Sequence, residues 1–132
     1  MSPIAVVLDH TTAGALHDPK DLANEAMLAF YVQASGGLGT LYAPVLALAV
    51  ADAGRPGVLS HITGLRFITT EPFDSDAART AAELVRAGHD WSTAHAVHMA
   101  RPSARFVTGR FLLTLKPDLY EGTGVQAVHP GQ

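Results

Sequence analysis

Residues 3–8 of the chain read Pro-Ile-Ala-Val-Val-Leu, and Asp9 follows them directly. The run is almost continuously apolar and rich in β-branched side chains, which favours a strand buried on both faces of a parallel sheet. Parallel neighbours need crossover connections, which are usually helices. A first strand of this kind therefore predicts an α/β domain.

The rest of the chain continues this alternation of short apolar strands and helices. Further strands are predicted at residues 40–43, 65–70, 111–115 and 125–128. The predicted helices are one capped by Asp18 with Pro19 at its first position and ended by Gly36, one opened by Pro44, and others around residues 59–62, 75–88 and 91–100. We expect one three-layer domain over residues 1–132, with a central, mainly parallel sheet of about five strands.

The composition narrows the class of protein. Hydrophobic residues make up 48% of the chain and charged residues 16%, so a packed domain is expected and extensive disorder is excluded. The net charge of −3 leaves no broad basic surface of the kind that binds DNA without sequence preference. The absence of cysteine excludes disulfides, thiolate metal sites and a cysteine nucleophile.

No segment of the sequence has the pattern of a membrane span or a signal peptide. The longest apolar stretch, residues 41–51, is interrupted by Pro44 and is shorter than the roughly 20 residues that cross a bilayer. We expect a soluble, cytoplasmic protein without membrane contact.

In open parallel sheets, functional sites lie beyond the carboxyl ends of the strands. The candidate site residues are therefore Asp9 and those of the turn at residues 114–118. The sequence after the first strand matches neither a Walker phosphate loop nor a Gly-x-Gly-x-x-Gly loop. A Gly-x-Ser-x-Gly elbow is also missing, which argues against a serine hydrolase.

The order of elements resembles the PIN-domain family, which includes the VapC-type toxin ribonucleases of toxin-antitoxin systems. Val7-Leu-Asp9-His-Thr11 is similar to the family's first motif, in which a strand ends in a metal-binding Asp followed two residues later by Ser or Thr. The resemblance covers nearly the whole chain. It implies a PIN-like fold and, in ordinary members, a cluster of acids that holds Mg²⁺ or Mn²⁺ for phosphodiester cleavage.

The other three acidic positions of the family carry different residues here. Val50 stands six residues after Pro44, where the family has Glu. His95 opens the sequence His-Ala-Val-His-Met-Ala, which is similar to the family's Asp-Ala-x-x-x-Ala pattern. Lys116 takes the acidic place of the Thr-x-Asp turn. The resemblance therefore implies a degenerate site of Asp9, His95 and Lys116, in which protein cations take the place of a metal and no cofactor is needed.

Three hypotheses about function follow. The first is a PIN-like protein without ordinary Mg²⁺-dependent nuclease activity, which acts as a binding or regulatory module. The second is a Mg²⁺- or Mn²⁺-dependent endoribonuclease, with Asp9 as metal ligand and with atypical ligands such as His10, His95 or Asp90. The third is a plain homo-oligomeric interaction protein. We expect a homodimer, and a protein partner or an RNA partner both remain open.

Each candidate residue also has a structural interpretation. Asp9 could simply cap the turn after the strand, His95 could be a structural histidine, and Lys116 could be an ordinary solvated turn residue. The arginines at positions 101, 105 and 110 could contact phosphate, although a solvated loop is favoured for them.

The hypothesis of a degenerate site makes a geometric prediction. Asp9, His95 and Lys116 should converge at one edge of the sheet, and Asp9 should form a hydrogen-bonded or ionic pair with His95 or Lys116. Such a pair would raise the pKa of His95 in the folded protein.

Overall fold

The centre of the structure is a five-stranded sheet in which every neighbouring pair of strands is parallel. The computed structural model describes residues 4–131. The strands are β1 (Ile4–Leu8), β2 (Gly39–Pro44), β3 (Ile68–Glu71), β4 (Phe111–Leu113) and β5 (Ala127–Val128), in the order β3-β2-β1-β4-β5. The predicted α/β class and the five strands are confirmed, and the sheet is wholly parallel. Pro3, the first residue of the predicted first strand, lies outside the described residues.

Within residues 4–131, six helices cover the two faces of the sheet. They are α1 (His10–His17), α2 (Asn24–Ser35), α3 (Val45–Gly54), α4 (Val58–Thr63), α5 (Ser75–Arg86) and α6 (Trp91–Ala100). A 3-10 helix, Pro117–Tyr120, connects β4 to β5. The first four helices share one hydrophobic core with the sheet, and α5 and α6 share the other.

The alternation of side chains along β1 explains the two cores. Val6 and Leu8 point into the core beneath α1–α4, whereas Val7 points into the core beneath α5 and α6. All three side chains are buried, which is the pattern expected of a central parallel strand. Asp9 follows Leu8 with no exposed surface, so the strand delivers a carboxylate into the protein interior.

The structure corrects the sequence prediction in the first connection. Helix α1 begins directly after Asp9, in a segment where no helix was predicted. The predicted start at Asp18 and Pro19 is wrong, because α2 begins only at Asn24, and the preceding segment is a turn in which Asp18 accepts a hydrogen bond from the Lys20 amide. Proline at position 19 is compatible both with a turn and with the first position of a helix, so the sequence alone does not distinguish these two structures.

Other boundaries differ by a few residues. The third strand begins at Ile68 instead of residue 65, and the last strand is confined to Ala127–Val128. The predicted helix at residues 91–100 is confirmed, and α4 and α5 lie where they were expected. No helix within residues 4–131 is long and apolar enough to cross a membrane.

Candidate functional site

The carboxylate of Asp9 caps the first helix. Its Oδ1 accepts hydrogen bonds from the Thr11 amide at 2.9 Å, the Thr12 amide at 3.1 Å and the Thr11 hydroxyl at 2.6 Å. The Thr12 hydroxyl in turn accepts from the Asp9 amide at 3.1 Å, which completes a reciprocal capping box. One oxygen of this carboxylate is therefore fully engaged by the start of α1.

The second oxygen of Asp9 is bound by Tyr120. The Tyr120 hydroxyl donates to Asp9 Oδ2 at 2.7 Å, inside the core beneath α5 and α6. Burial of this hydroxyl, together with the negative charge of Asp9, raises the pKa of Tyr120 far above its usual range. The hydroxyl therefore stays protonated and remains a donor. Both oxygens of Asp9 are thus satisfied by groups of the protein itself.

The threonines after Asp9 join the start of α1 to the end of β4. The Thr12 hydroxyl donates to the Leu113 carbonyl at 2.8 Å. The Leu115 amide donates to the Thr11 hydroxyl at 2.9 Å. These bonds fix the turn after β4, which contains Lys116, beside the first turn of α1.

A pocket of about 330 Å³ lies at this junction. Its lining includes His10 and Thr11 from α1, Val50 from α3, and Lys116 from the turn after β4. Two of the positions that the sequence comparison placed in an acidic site, Val50 and Lys116, therefore do share one pocket, next to the turn that Asp9 caps.

His95 lies elsewhere, in the core behind the ends of β2 and β3. Its Nδ1 accepts a hydrogen bond from the Leu46 amide at 3.3 Å, and its ring contacts that of Phe73 edge to face at 5.2 Å between centroids. The side chain is 1% exposed. His95 therefore connects α6 to the first turn of α3, and it does not line the pocket that holds Lys116.

The expected pair between Asp9 and His95 or Lys116 is wrong. The side-chain partners of the Asp9 carboxylate are the hydroxyls of Thr11, Thr12 and Tyr120, and no ion pair to it is found among residues 4–131. The expected direction of the His95 pKa is also wrong. Burial, followed by the charge of His98, lowers the pKa of His95 to about 4. Its ring is therefore neutral near pH 7.

The remaining acids of interest have structural partners. Asp52 accepts from the Gly57 and Leu59 amides at 3.0 Å each and so holds the start of α4. Asp90, an atypical ligand in the second hypothesis, is exposed and accepts from the Ser92 hydroxyl at 2.9 Å. Neither lines the pocket beside Lys116.

The arginine cluster is only partly the solvated loop that was expected. Arg110 is buried, donates from Nη1 to Glu71 at 2.9 Å and from Nε to the Met99 carbonyl at 2.7 Å, and stacks on the Phe106 ring. Arg105, in contrast, is largely exposed. Arg110 thus has a structural role, because it joins the end of α6 to the end of β3.

A divalent metal ion does not fit the residues at this site. No group of three or more His, Asp or Glu side chains within the described part of the chain is placed to hold a metal ion. Asp9 has both oxygens engaged and no exposed surface. Mg²⁺ is usually bound through one or two carboxylates together with water and substrate phosphates, and such an open carboxylate is lacking here.

Comparison with known proteins identifies the fold. No protein-family model and no curated protein sequence matches this chain. Among solved structures, the chain is similar to VapC20 of Mycobacterium tuberculosis, a toxin that cleaves the sarcin-ricin loop, with a TM-score of 0.67 and 14% sequence identity. The match covers 91% of this chain and 95% of that toxin. The chain therefore has the PIN-domain fold, as the order of its elements predicted.

Two residues of the Asp9 cluster were missed by the sequence analysis. Thr12 could have been found, because Asp9-x-x-Thr12 has the spacing of a capping box. Tyr120 is separated from Asp9 by 111 residues, and no local pattern connects them. Only the parallel pairing of β1 with β4 brings the 3-10 helix after β4 to Asp9.

Proposed function

We propose that this chain is a PIN-fold protein without metal-dependent nuclease activity, and that it acts as a binding or regulatory module. The proposal depends on one observation: both carboxylate oxygens of Asp9 already accept hydrogen bonds from groups of the protein. A nuclease of this chemistry needs open carboxylates that attract a metal ion, which then activates a water molecule. Here the single matching carboxylate is buried and bonded to Thr11, Thr12 and Tyr120.

The surroundings of Asp9 support the same proposal. The pocket beside it has an apolar side chain at Val50 and an ammonium group at Lys116. A cation at this position disfavours Mg²⁺ or Mn²⁺ by electrostatic repulsion, and valine supplies no ligand atom. His95 is a neutral core residue whose Nδ1 is already occupied by the Leu46 amide. This arrangement supports the proposal, because neither His95 nor Asp90 lines the pocket that contains His10 and Lys116.

The proposal is tested by RNA cleavage and metal-induced stabilisation. We expect no cleavage of an RNA hairpin containing the sarcin-ricin loop, the target named for the structural neighbour, in the presence of Mg²⁺ or Mn²⁺. Millimolar Mg²⁺ or Mn²⁺ should also leave the melting temperature unchanged within about 1 °C, because a ligand stabilises only a state that it binds.

Two variants make this test decisive. His10→Ala removes a pocket residue that could act as an atypical ligand, whereas Asp90→Ala removes a carboxylate outside the pocket. Mn²⁺-dependent cleavage that disappears with chelator and in His10→Ala, but survives in Asp90→Ala, would contradict the proposal and establish the ribonuclease.

The binding role that we propose includes self-association as a homodimer. Helix α2 exposes Leu28 and Val32, which lie one turn apart on its outer face, and Leu38 follows with 72% exposure. Exposed apolar side chains of this kind favour a protein partner.

Sedimentation equilibrium checks this expectation. The unmodified protein should sediment as a dimer at micromolar concentration, and Leu28→Glu with Val32→Lys should shift it to the monomer without changing its circular dichroism. Arg79→Glu on the exposed face of α5 is the control and should remain dimeric. A parent protein that is monomeric throughout would reject the homodimer.

A further inference from the structure

Two histidine rings meet at the surface between α1 and α4. The Nδ1 atoms of His17 and His61 lie 2.9 Å apart, and the rings are edge to face with 5.1 Å between their centroids. His17 is the last residue of α1, and His61 lies in the last turn of α4. His61 is exposed and His17 is partly exposed, and neither lines the pocket beside Lys116. The pair is therefore accessible to a solute and separate from that pocket.

The contact between the two rings uses only one proton. In a hydrogen bond between imidazole nitrogens one nitrogen carries the proton and the other offers a lone pair. Neither ring makes another hydrogen bond to a residue between positions 4 and 131, so no further contact fixes which nitrogen is protonated. A neutral imidazole can carry its proton on Nε2 as well. When both rings do so, the Nδ1 lone pairs of His17 and His61 are both free to bind one cation.

The spacing of the two nitrogens is close to that of two ligands on one metal ion. Imidazole nitrogen is a preferred ligand of Zn²⁺, Cu²⁺ and Ni²⁺. Zn²⁺ binds it at about 2.0–2.1 Å, so two nitrogens on a tetrahedral ion lie roughly 3.4 Å apart. The Nδ1 atoms of His17 and His61 would have to separate by only about 0.5 Å, while the rings turn so that their lone pairs converge. Side chains that reach solvent can make such an adjustment.

The charges near the pair favour a cation. The segment after α1 and the end of α3 carry three carboxylates and two cationic side chains, which are Asp18, Asp21, Asp52, Lys20 and Arg55. Arg55 is already compensated, because it binds Asp21 at 2.9 Å and lies 3.5 Å from Asp18. The C-terminus of α1, where His17 lies, adds a partial negative charge. A divalent cation at the two rings therefore meets a favourable electrostatic potential.

We propose that His17 and His61 together bind a divalent transition-metal ion of the Zn²⁺ class through their Nδ1 atoms. The inference goes beyond the proposed function and does not depend on it. No group of three His, Asp or Glu side chains among the described residues is placed to hold a metal ion, so water supplies the remaining ligands. The ion joins the end of α1 to the last turn of α4. Mn²⁺ binds imidazole sites more weakly than these ions, so the expectation for Mn²⁺ given above is unchanged.

The test is a calorimetric titration with Zn²⁺ at about pH 7.5, where most imidazoles are neutral, in a buffer that does not bind metals. We expect saturable binding of one ion per chain. His61→Gln and His17→Gln should each weaken the affinity by at least about tenfold, since a single imidazole remains. His89→Gln is the matched control, because His89 follows α5 on the other face of the sheet. It should bind Zn²⁺ as the parent does.

Thermal unfolding provides a second measurement. Zn²⁺ should raise the melting temperature of the parent and of His89→Gln, but not that of the double variant His17→Gln with His61→Gln, because a ligand stabilises only a state that it binds. Circular dichroism without metal should show the same fold for all variants. Absence of saturable binding at millimolar Zn²⁺, or an affinity that neither substitution changes, would overturn the inference. Metal-dependent RNA cleavage would instead contradict the proposed function and leave these two readouts unaffected.

Discussion

Replacement of Asp9 by alanine should lower the free energy of unfolding by about 3–5 kcal/mol. Loss of a helix N-cap contributes about 1 kcal/mol of this, and loss of the hydrogen bond from the part-buried Thr11 hydroxyl about 1 kcal/mol more. The buried Tyr120 hydroxyl loses its acceptor at a further cost of about 1–3 kcal/mol. For a chain of this length the change corresponds to a decrease of about 10 °C or more in melting temperature. Urea unfolding and differential scanning calorimetry measure both quantities.

The sign of this effect separates the two interpretations of Asp9. Carboxylates gathered for a metal ion repel one another, so removing one from a metal-free nuclease tends to stabilise the protein. A capping carboxylate gives the opposite result. Asp18→Ala is the control, because Asp18 is partly exposed and its ion pair with Arg55 is long, so it should change stability by less than about 1 kcal/mol. An Asp9→Ala protein as stable as the parent would contradict the structural role.

Acidification should destabilise the protein through His95. The pKa of His95 is about 4 in the folded protein, against an ordinary value of 6.5. Between these two values the unfolded chain takes up a proton that the folded chain does not, so stability is complete above pH 6.5 and decreases as the pH falls toward 4. The expected loss from this residue is about 3 kcal/mol, at about 1.4 kcal/mol for each pH unit.

The variant His95→Gln isolates this contribution. Its side-chain oxygen can still accept the Leu46 amide, but it does not titrate, so the dependence of unfolding free energy on pH should become shallower between pH 4 and pH 6.5. His89→Gln, on the turn after α5, is the matched control and should keep the slope of the parent. Stability that rises as the pH falls through this window would show that His95 gains a charged partner, as the sequence analysis expected.

The sequence predicted the architecture well because the strands are short and the first three are each followed by helices. That pattern determined the α/β class and the five strands, and the family resemblance agreed with it. Helix α1 was missed because its sequence, His-Thr-Thr-Ala-Gly-Ala-Leu-His, contains no amphipathic stripe. Helix α1 begins where Asp9 caps it. The only indication of such a cap in the sequence is the spacing between Asp9 and Thr12.

The site was harder to predict because its contacts join distant parts of the chain. The family resemblance put Val50 and Lys116 at two of the family's acidic positions, and both residues line the same pocket. A partly buried carboxylate was expected to pair with a cationic side chain. In the structure, the neutral hydroxyl of Tyr120 donates a hydrogen bond to Asp9 instead. His95 shows the same limit, since its position in α6 was identified while its burial beside Phe73 was not. Burial reversed the expected direction of its pKa.

The central position of β1 has a consequence for the synthesis of the chain. One neighbour of β1 is β2, which leaves the ribosome early, and the other is β4, which begins only at Phe111. Until then one edge of β1 has no strand beside it, and the capped turn at Asp9 lacks the Tyr120 hydroxyl. An unpaired, apolar strand edge in a nascent polypeptide invites pairing with other chains. This edge of β1 is therefore available for such pairing until the last strands emerge.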